Sequence, residues 1–146
     1  MPFRFLDNIT RADVAVEATA RTRGALLAQA GLALATVQVE LSSVKNKMTR
    51  TFTLQATSEE QLLVRFLSEL LYFKDAEHLI FSRLNSRVKT NKHKNSKDTY
   101  SATCTAGGAR INNNMVLGTD VKGITMHKLR IAKKGNVWTA RFVVDV

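Results

Sequence analysis

Residues 57–73, TSEEQLLVRFLSELLYF, leave the chain little freedom in how it folds. Thr57 or Ser58 stands where a helix N-cap is wanted, and Glu60 or Gln61 follows three positions on, the pattern of a capping box. Glu59 and Glu60 fall in the first turn, where the positive end of the helix dipole favours them. Leu62, Leu63, Phe66, Leu67, Leu70 and Leu71 then recur at helical spacing as a wide apolar stripe. Burying such side chains is worth about 1.5–3 kcal/mol each. The pattern predicts a helix running to about Phe73 at the centre of a core, with a broad apolar surface to receive it.

The rest of the chain offers strands for that surface. Residues 13–19 alternate, with Val14, Val16 and Ala18 on one face. Residues 4–7, 37–41, 51–56, 79–84 and 98–106 also read as strands, and residues 7–11 as a turn. Thr22 caps a second helix over residues 23–35, whose alanines and two glycines make it slim enough to lie close to a sheet. Residues 118–146 read as two strands turning near Lys133-Lys134-Gly135-Asn136. The economical architecture is an α+β, two-layer sandwich, with two helices packed on a mainly antiparallel sheet in one domain over 1–146. Strand–helix–strands occurs twice in order, a hint of internal duplication.

The net charge is +10, and one cysteine, Cys104, excludes an internal disulfide or a cysteine-based zinc cage. No apolar run approaches the roughly 20 residues of a membrane span, and the N-terminus lacks a secretory apolar region, so the expected location is cytoplasmic. Residues 87–97 carry Arg87, Lys89, Lys92, Lys94 and Lys97 and no acid, and read as an exposed basic loop able to meet RNA phosphates. Interleaved aromatic residues for base stacking are absent there. Gly107-Gly108 reads as the start of a polar connection running through Asn112-Asn113-Asn114.

No hydrolase, metalloprotease or nucleotide-binding motif is present. His78, His93 and His127 are scattered, and Cys104 fits a small buried strand residue. Three carboxylates draw attention: Asp13, Asp120 and Asp145, each at a strand end or in the final hairpin. Asp145 and the terminal carboxylate of Val146 offer several oxygens together. With Asp13 beside them they would make a hard-oxygen site for Ca²⁺ or Mg²⁺. The alternative is that Asp13 caps a turn and Asp145 faces solvent. Lys122, in an otherwise apolar strand, points at an anion or at water. By alternation His127 shares a face with Thr125 and Leu129, where a lone histidine is usually structural.

Several segments resemble the archease family. They are the entry Phe3-Arg4-Phe5-Leu6-Asp7 with Ala12-Asp13-Val14-Ala15-Val16-Glu17-Ala18, the helix from Leu62 to Tyr72, the segment Gly118-Thr119-Asp120-Val121-Lys122-Gly123-Ile124-Thr125-Met126-His127, and the terminal strand from Trp138 to Asp145-Val146. The resemblance spans nearly the whole chain. It implies a small α+β protein that is not an enzyme and that assists an RtcB-type RNA ligase, promoting its guanylylation and turnover in tRNA splicing and RNA repair. It also implies a divalent cation, calcium first, with magnesium or manganese as alternatives. Asp13, Asp145 and a main-chain oxygen of Val146 would be its ligands, and Lys122 and His127 fall on the family's lysine and histidine. The sequence departs from the family at Thr10-Arg11, where His-Thr is usual, at Gly107-Gly108-Ala109-Arg110, and in its basic charge. A basic RNA-binding module without a ligase-activating role is the rival reading. A small metal-dependent hydrolase is a third, for which the sequence names no general base.

Overall fold

The computed structural model describes residues 2–6 and 13–146; the turn expected at residues 7–11 lies outside them. The central helix, α2, spans Glu59–Glu77. The Ser58 hydroxyl accepts from the Gln61 amide at 3.0 Å, and the Gln61 side chain accepts from the Thr57 amide at 2.8 Å. Ser58 is thus the cap and Gln61 its partner three residues on, with the returning bond reaching the Thr57 amide rather than the cap's own. The helix runs one turn beyond Phe73 and stops at His78, which takes the left-handed conformation at φ 56°.

Helix α1, Arg23–Gln38, begins at the Thr22 cap as expected but runs on past residue 35 to take Val37 and Gln38, the first two residues of the strand expected at 37–41. Its buried face goes on through Leu34, Ala35 and Gln38, so helical burial outweighs a five-residue alternation. The chain then leaves through Val39, which makes a single bridge to Leu117, and a 3₁₀ turn at Leu41–Ser43.

Among the described residues, seven strands complete the fold: β1 Phe3–Leu6, β2 Asp13–Ala20, β3 Met48–Ala56, β4 Leu79–Asn91, β5 Thr99–Arg110, β6 Gly123–Lys134 and β7 Val137–Asp145. All pairings between them are antiparallel, and the expected α+β class holds. The strands divide into two sheets, in the orders β1-β2-β7-β6 and β3-β5-β4. Each helix bridges both sheets, α1 packing chiefly on β4 and β2, and α2 on β6 and β3. One apolar cluster joins all of these elements, with Phe66, Leu63 and Leu67 fully buried at its centre.

Two segments read as loops are strands. Residues 87–91 extend β4, whose half-buried Val88 continues the inward pattern while Arg87 and Lys89 stay exposed; the loop is confined to residues 92–98. Gly107 and Gly108 lie inside β5 and are buried. A Cβ on Gly108 would sit 2.0 Å from the Ile80 carbonyl oxygen, so glycine here permits close backbone approach.

The terminal hairpin closes through Gly135-Asn136, with Gly135 at φ +62° in the first central position of a two-residue turn. Midway along it the register breaks. Thr125 pairs with Val143 and Arg130 with Arg141, so residues 126–129 stand against Phe142 alone, with Lys128 at φ +60°.

Candidate functional site

Asp13 opens β2 and Asp145 closes β7, and the two are register partners across the ladder. Residues directly opposite in an antiparallel pair project to the same face, with Cβ atoms about 4.5–5.5 Å apart. The next pair inward, Val14 and Val144, belongs to the core, which puts the aspartates on the outer face. Asp13 is half-buried and Asp145 exposed. Neither forms an ion pair with another described residue. On its other side Asp145 pairs with Gly123, where an added Cβ would meet nothing within 4 Å, so the acid has open space beside it.

Val146 follows on the opposite face, half-buried against the core, which holds the end of the strand in place. Lys122 is exposed and precedes β6 rather than lying within a strand; its amide donates to the Asp145 carbonyl at 2.7 Å. With Gly123 and Ile124 it borders an open groove against Ser68, Tyr72 and Asp75 of α2. Asp13, Asp145, Val146 and Lys122 are thus brought to one end of the sheet. His127 is not. It lies exposed in the bulge, its amide donating to the Thr125 hydroxyl at 3.0 Å, and the bulge removes it from the face that alternation assigned to it.

Asp120, the third carboxylate, is engaged elsewhere. Its Oδ1 accepts from Lys74 Nζ at 2.5 Å. Lys74 is buried, and its ammonium also donates to Gln38 Oε1 and to the Val121 carbonyl. This cation ties the ends of both helices to the segment that delivers Lys122 to Asp145. Sequence reasoning missed it because the predicted helix stopped one residue short. The available signal was a lone lysine continuing the stripe of Leu70 and Leu71 at helical spacing.

Farther along the outer face, Glu17 accepts from Arg4 at 2.8 Å and from Arg141 at 2.7 Å. These hydrogen bonds, Arg4 first and then Arg141, hold its carboxyl below the usual range. Between this trio and the aspartates, a cavity of about 410 Å³ is lined by Leu6, Ala15, Val143, Lys128, Arg130 and Arg141. Cys104 is fully buried, and burial pushes its thiol up to about 11, so it is an inert core residue.

Among the described residues, no group of three or more His, Cys, Asp or Glu side chains converges. The donor set at the strand ends is two carboxylates and main-chain oxygen. It is all oxygen and anionic, which fits a hard cation such as calcium or magnesium and not a soft one.

Fold and register together define an α+β protein, with two helices and seven strands among the described residues and an aspartate pair where β2 and β7 meet. Comparison with known proteins places it further. Residues 3–146 match the model of the archease protein family. The protein archease of Methanosarcina barkeri is 30% identical over 145 residues, covering 99% of this chain and 95% of that one. The protein archease of Archaeoglobus fulgidus is 29% identical over 146 residues, with both chains covered fully. The fold resembles a Methanobacterium thermoautotrophicum protein solved in solution, at a TM-score of 0.77 and 22% identity over 99% of each chain. It also resembles a Thermotoga maritima crystal structure described as an archease and possible chaperone, at a TM-score of 0.62 and 15% identity over 98% of each. The chain belongs to the archease family.

Proposed function

We propose that this protein is a non-enzymatic accessory factor that activates an RtcB-type RNA ligase in cytoplasmic tRNA splicing and RNA repair. Asp13, Asp145 and a main-chain oxygen of Val146 hold a divalent cation, calcium before magnesium or manganese. The observation that carries this reading is the register pairing of Asp13 with Asp145. Two like charges at about the 5 Å spacing of paired Cβ atoms would repel by on the order of 1–3 kcal/mol at the effective dielectric constants of a protein surface. A cation between them turns that cost into attraction. When bound, it would present a fixed positive charge at the molecular surface.

This chain's own residues do the rest. The Lys122 amide fixes the Asp145 main chain, and the Lys122 side chain adds a positive charge beside the pair. Exposed Tyr72, Met126 and His127 are open to a protein partner near the same strands. The description of the Thermotoga maritima structure as a possible chaperone fits a protein that acts through another protein. The test is ligase guanylylation with the RtcB-type ligase of the same organism and calcium present. Wild type accelerates it, whereas Asp145→Ala fails to. Equal stimulation by both would end the proposal.

A further inference from the structure

We infer that the outer face of the β3-β5-β4 sheet is a docking surface for double-helical RNA, touching its backbone without reading its sequence. The charge of the chain is segregated. Residues 41–56 and 79–110, which form this sheet and its connections, carry ten Lys or Arg and one acid, Asp98, whereas the rest of the chain carries twelve and eleven. Nearly all of the +10 therefore resides on one sheet. Arg50 and Arg110 are engaged at Glu77, on the side of the helices. Arg83, Arg87 and Lys89 are not. They stand exposed along the outer edge of β4 and form no ion pair with a described residue.

The register fixes what lies beside them. Arg87 pairs with Thr103, which pairs with Thr53; Lys89 pairs with Ser101, which pairs with Gln55. From Arg83 to Asn91 the remaining outer positions of β4 and their partners are threonine, serine, asparagine, glutamine and one glycine; before the bulge, Ile80 and Ala109 lie on the same face under Val39, Val44 and Met115. No described carboxylate and no aromatic ring occupies this face, because Phe52 and Tyr100 belong to the inward positions that pack on the core. The basic loop at residues 92–98 extends the surface at one end, and Lys45 and Lys47 lie toward the other.

Chemistry selects the occupant. Free cations that outnumber the one acid, Asp98 at the end of the loop, attract phosphates and release their counterions. The lack of rings removes the stacking that single-strand binders depend on. A broad lawn of hydroxyls and amides matches the 2′-hydroxyls and phosphates displayed by an RNA duplex, which is recognised by shape. The inference is independent of the ligase reading, since it concerns the isolated chain.

The experiment is fluorescence anisotropy with a labelled RNA hairpin of about 20 base pairs across a salt series. Combining Arg83→Gln, Arg87→Gln and Lys89→Gln should weaken binding at least about tenfold. It should also lower the log–log salt slope by about 2, since each phosphate no longer neutralised removes somewhat under one unit. Combining Lys128→Gln, Arg130→Gln and Lys134→Gln removes the same charge from β6 and should change affinity less than about twofold. A second pair adds one acid without removing a cation: Thr103→Glu weakens binding, and Ala132→Glu on β6 does not. Melting temperatures confirm that each variant is folded. Equal losses in both triple variants, no binding by wild type, equal affinity for a DNA duplex of the same sequence, or displacement by polyglutamate at matched charge would each overturn the inference.

Discussion

Asp13 and Asp145 face each other across the β2–β7 ladder, the first residue of one strand against the last of the other. Because side chains alternate with a period of two, a slip of one residue would send the two acids to opposite faces. The half-buried Val14 with its buried partner Val144, and the buried pair Val16–Phe142, prevent that slip, so core packing sets the spacing of the surface charges.

The first prediction follows from that pairing. A cation that binds only the folded chain stabilises it by about 2.7 kcal/mol at a hundred times its Kd, a rise of several degrees in Tm. Wild type should show this rise with calcium. Asp13→Asn and Asp145→Asn should lose it, while being at least as stable as wild type without calcium because the repulsion is gone. Thermal unfolding with and without calcium measures both effects, and an undiminished rise in both variants would refute the proposed ligands.

The second prediction concerns Lys74 and Asp120. Asp120→Ala leaves a buried ammonium without its carboxylate and should cost about 1–3 kcal/mol in urea unfolding. Lys74→Met removes the buried charge itself and should cost less. Hydrogen exchange at the Lys122 amide should quicken in Asp120→Ala if the network steadies the segment that leads to Asp145. Unchanged exchange would confine the network to a packing role.

Two glycines give a third prediction with a built-in control. Gly108→Ala forces a Cβ against the Ile80 carbonyl and the Phe81 backbone, and overpacking of this kind costs about 1–3 kcal/mol or more. Gly123→Ala meets open space and should stay within about 0.5 kcal/mol of wild type. Comparable losses at both positions would contradict the packing described for β4 and β5.

A fourth prediction is a pH dependence. Glu17 has its carboxyl held below the ordinary value of 4.5 by Arg4 and Arg141. A lowered value in the folded state means that the unfolded chain binds the proton first as pH falls. The stabilising contribution is complete above about pH 4.5–5 and declines as acid approaches the folded-state value. Glu17→Gln should therefore be less stable near neutrality, with the gap closing on acidification. A gap that widened toward low pH would reverse the sign of this argument.

The helix of residues 59–77 was readable in the sequence because cap, charge and stripe agree, and every one of those signals is local. The division into two sheets was not. Strand partners are chosen by long-range packing, and alternation says only which face is buried. The same limit hid the end of β4, where Val88 supplied a single apolar residue among charges, and the strand role of Gly107-Gly108, which depends on how closely another backbone approaches. Asp13 and Asp145 could be named as candidates from their positions at strand ends, but their pairing belongs to the register and to nothing local. The bulge did leave a trace. Apolar positions in β6 shift from even, at Ile124 and Met126, to odd, at Leu129 and Ile131. A strand cannot make that change without an extra residue.

That change of parity limits how the hairpin can be altered. From Thr125 to Arg130 the chain advances five residues while β7 advances two, yet both residues face outward. Two residues an odd number of steps apart share a face only because the segment between them is bulged; a regular strand would set them on opposite faces. Deleting one residue from 126–129 brings the step to four, the even spacing at which a strand keeps its facing unaided, whereas deleting two leaves an odd step that still needs a bulge. The segment is in effect a parity corrector, so a library of deletions across it should tolerate single deletions better than paired ones.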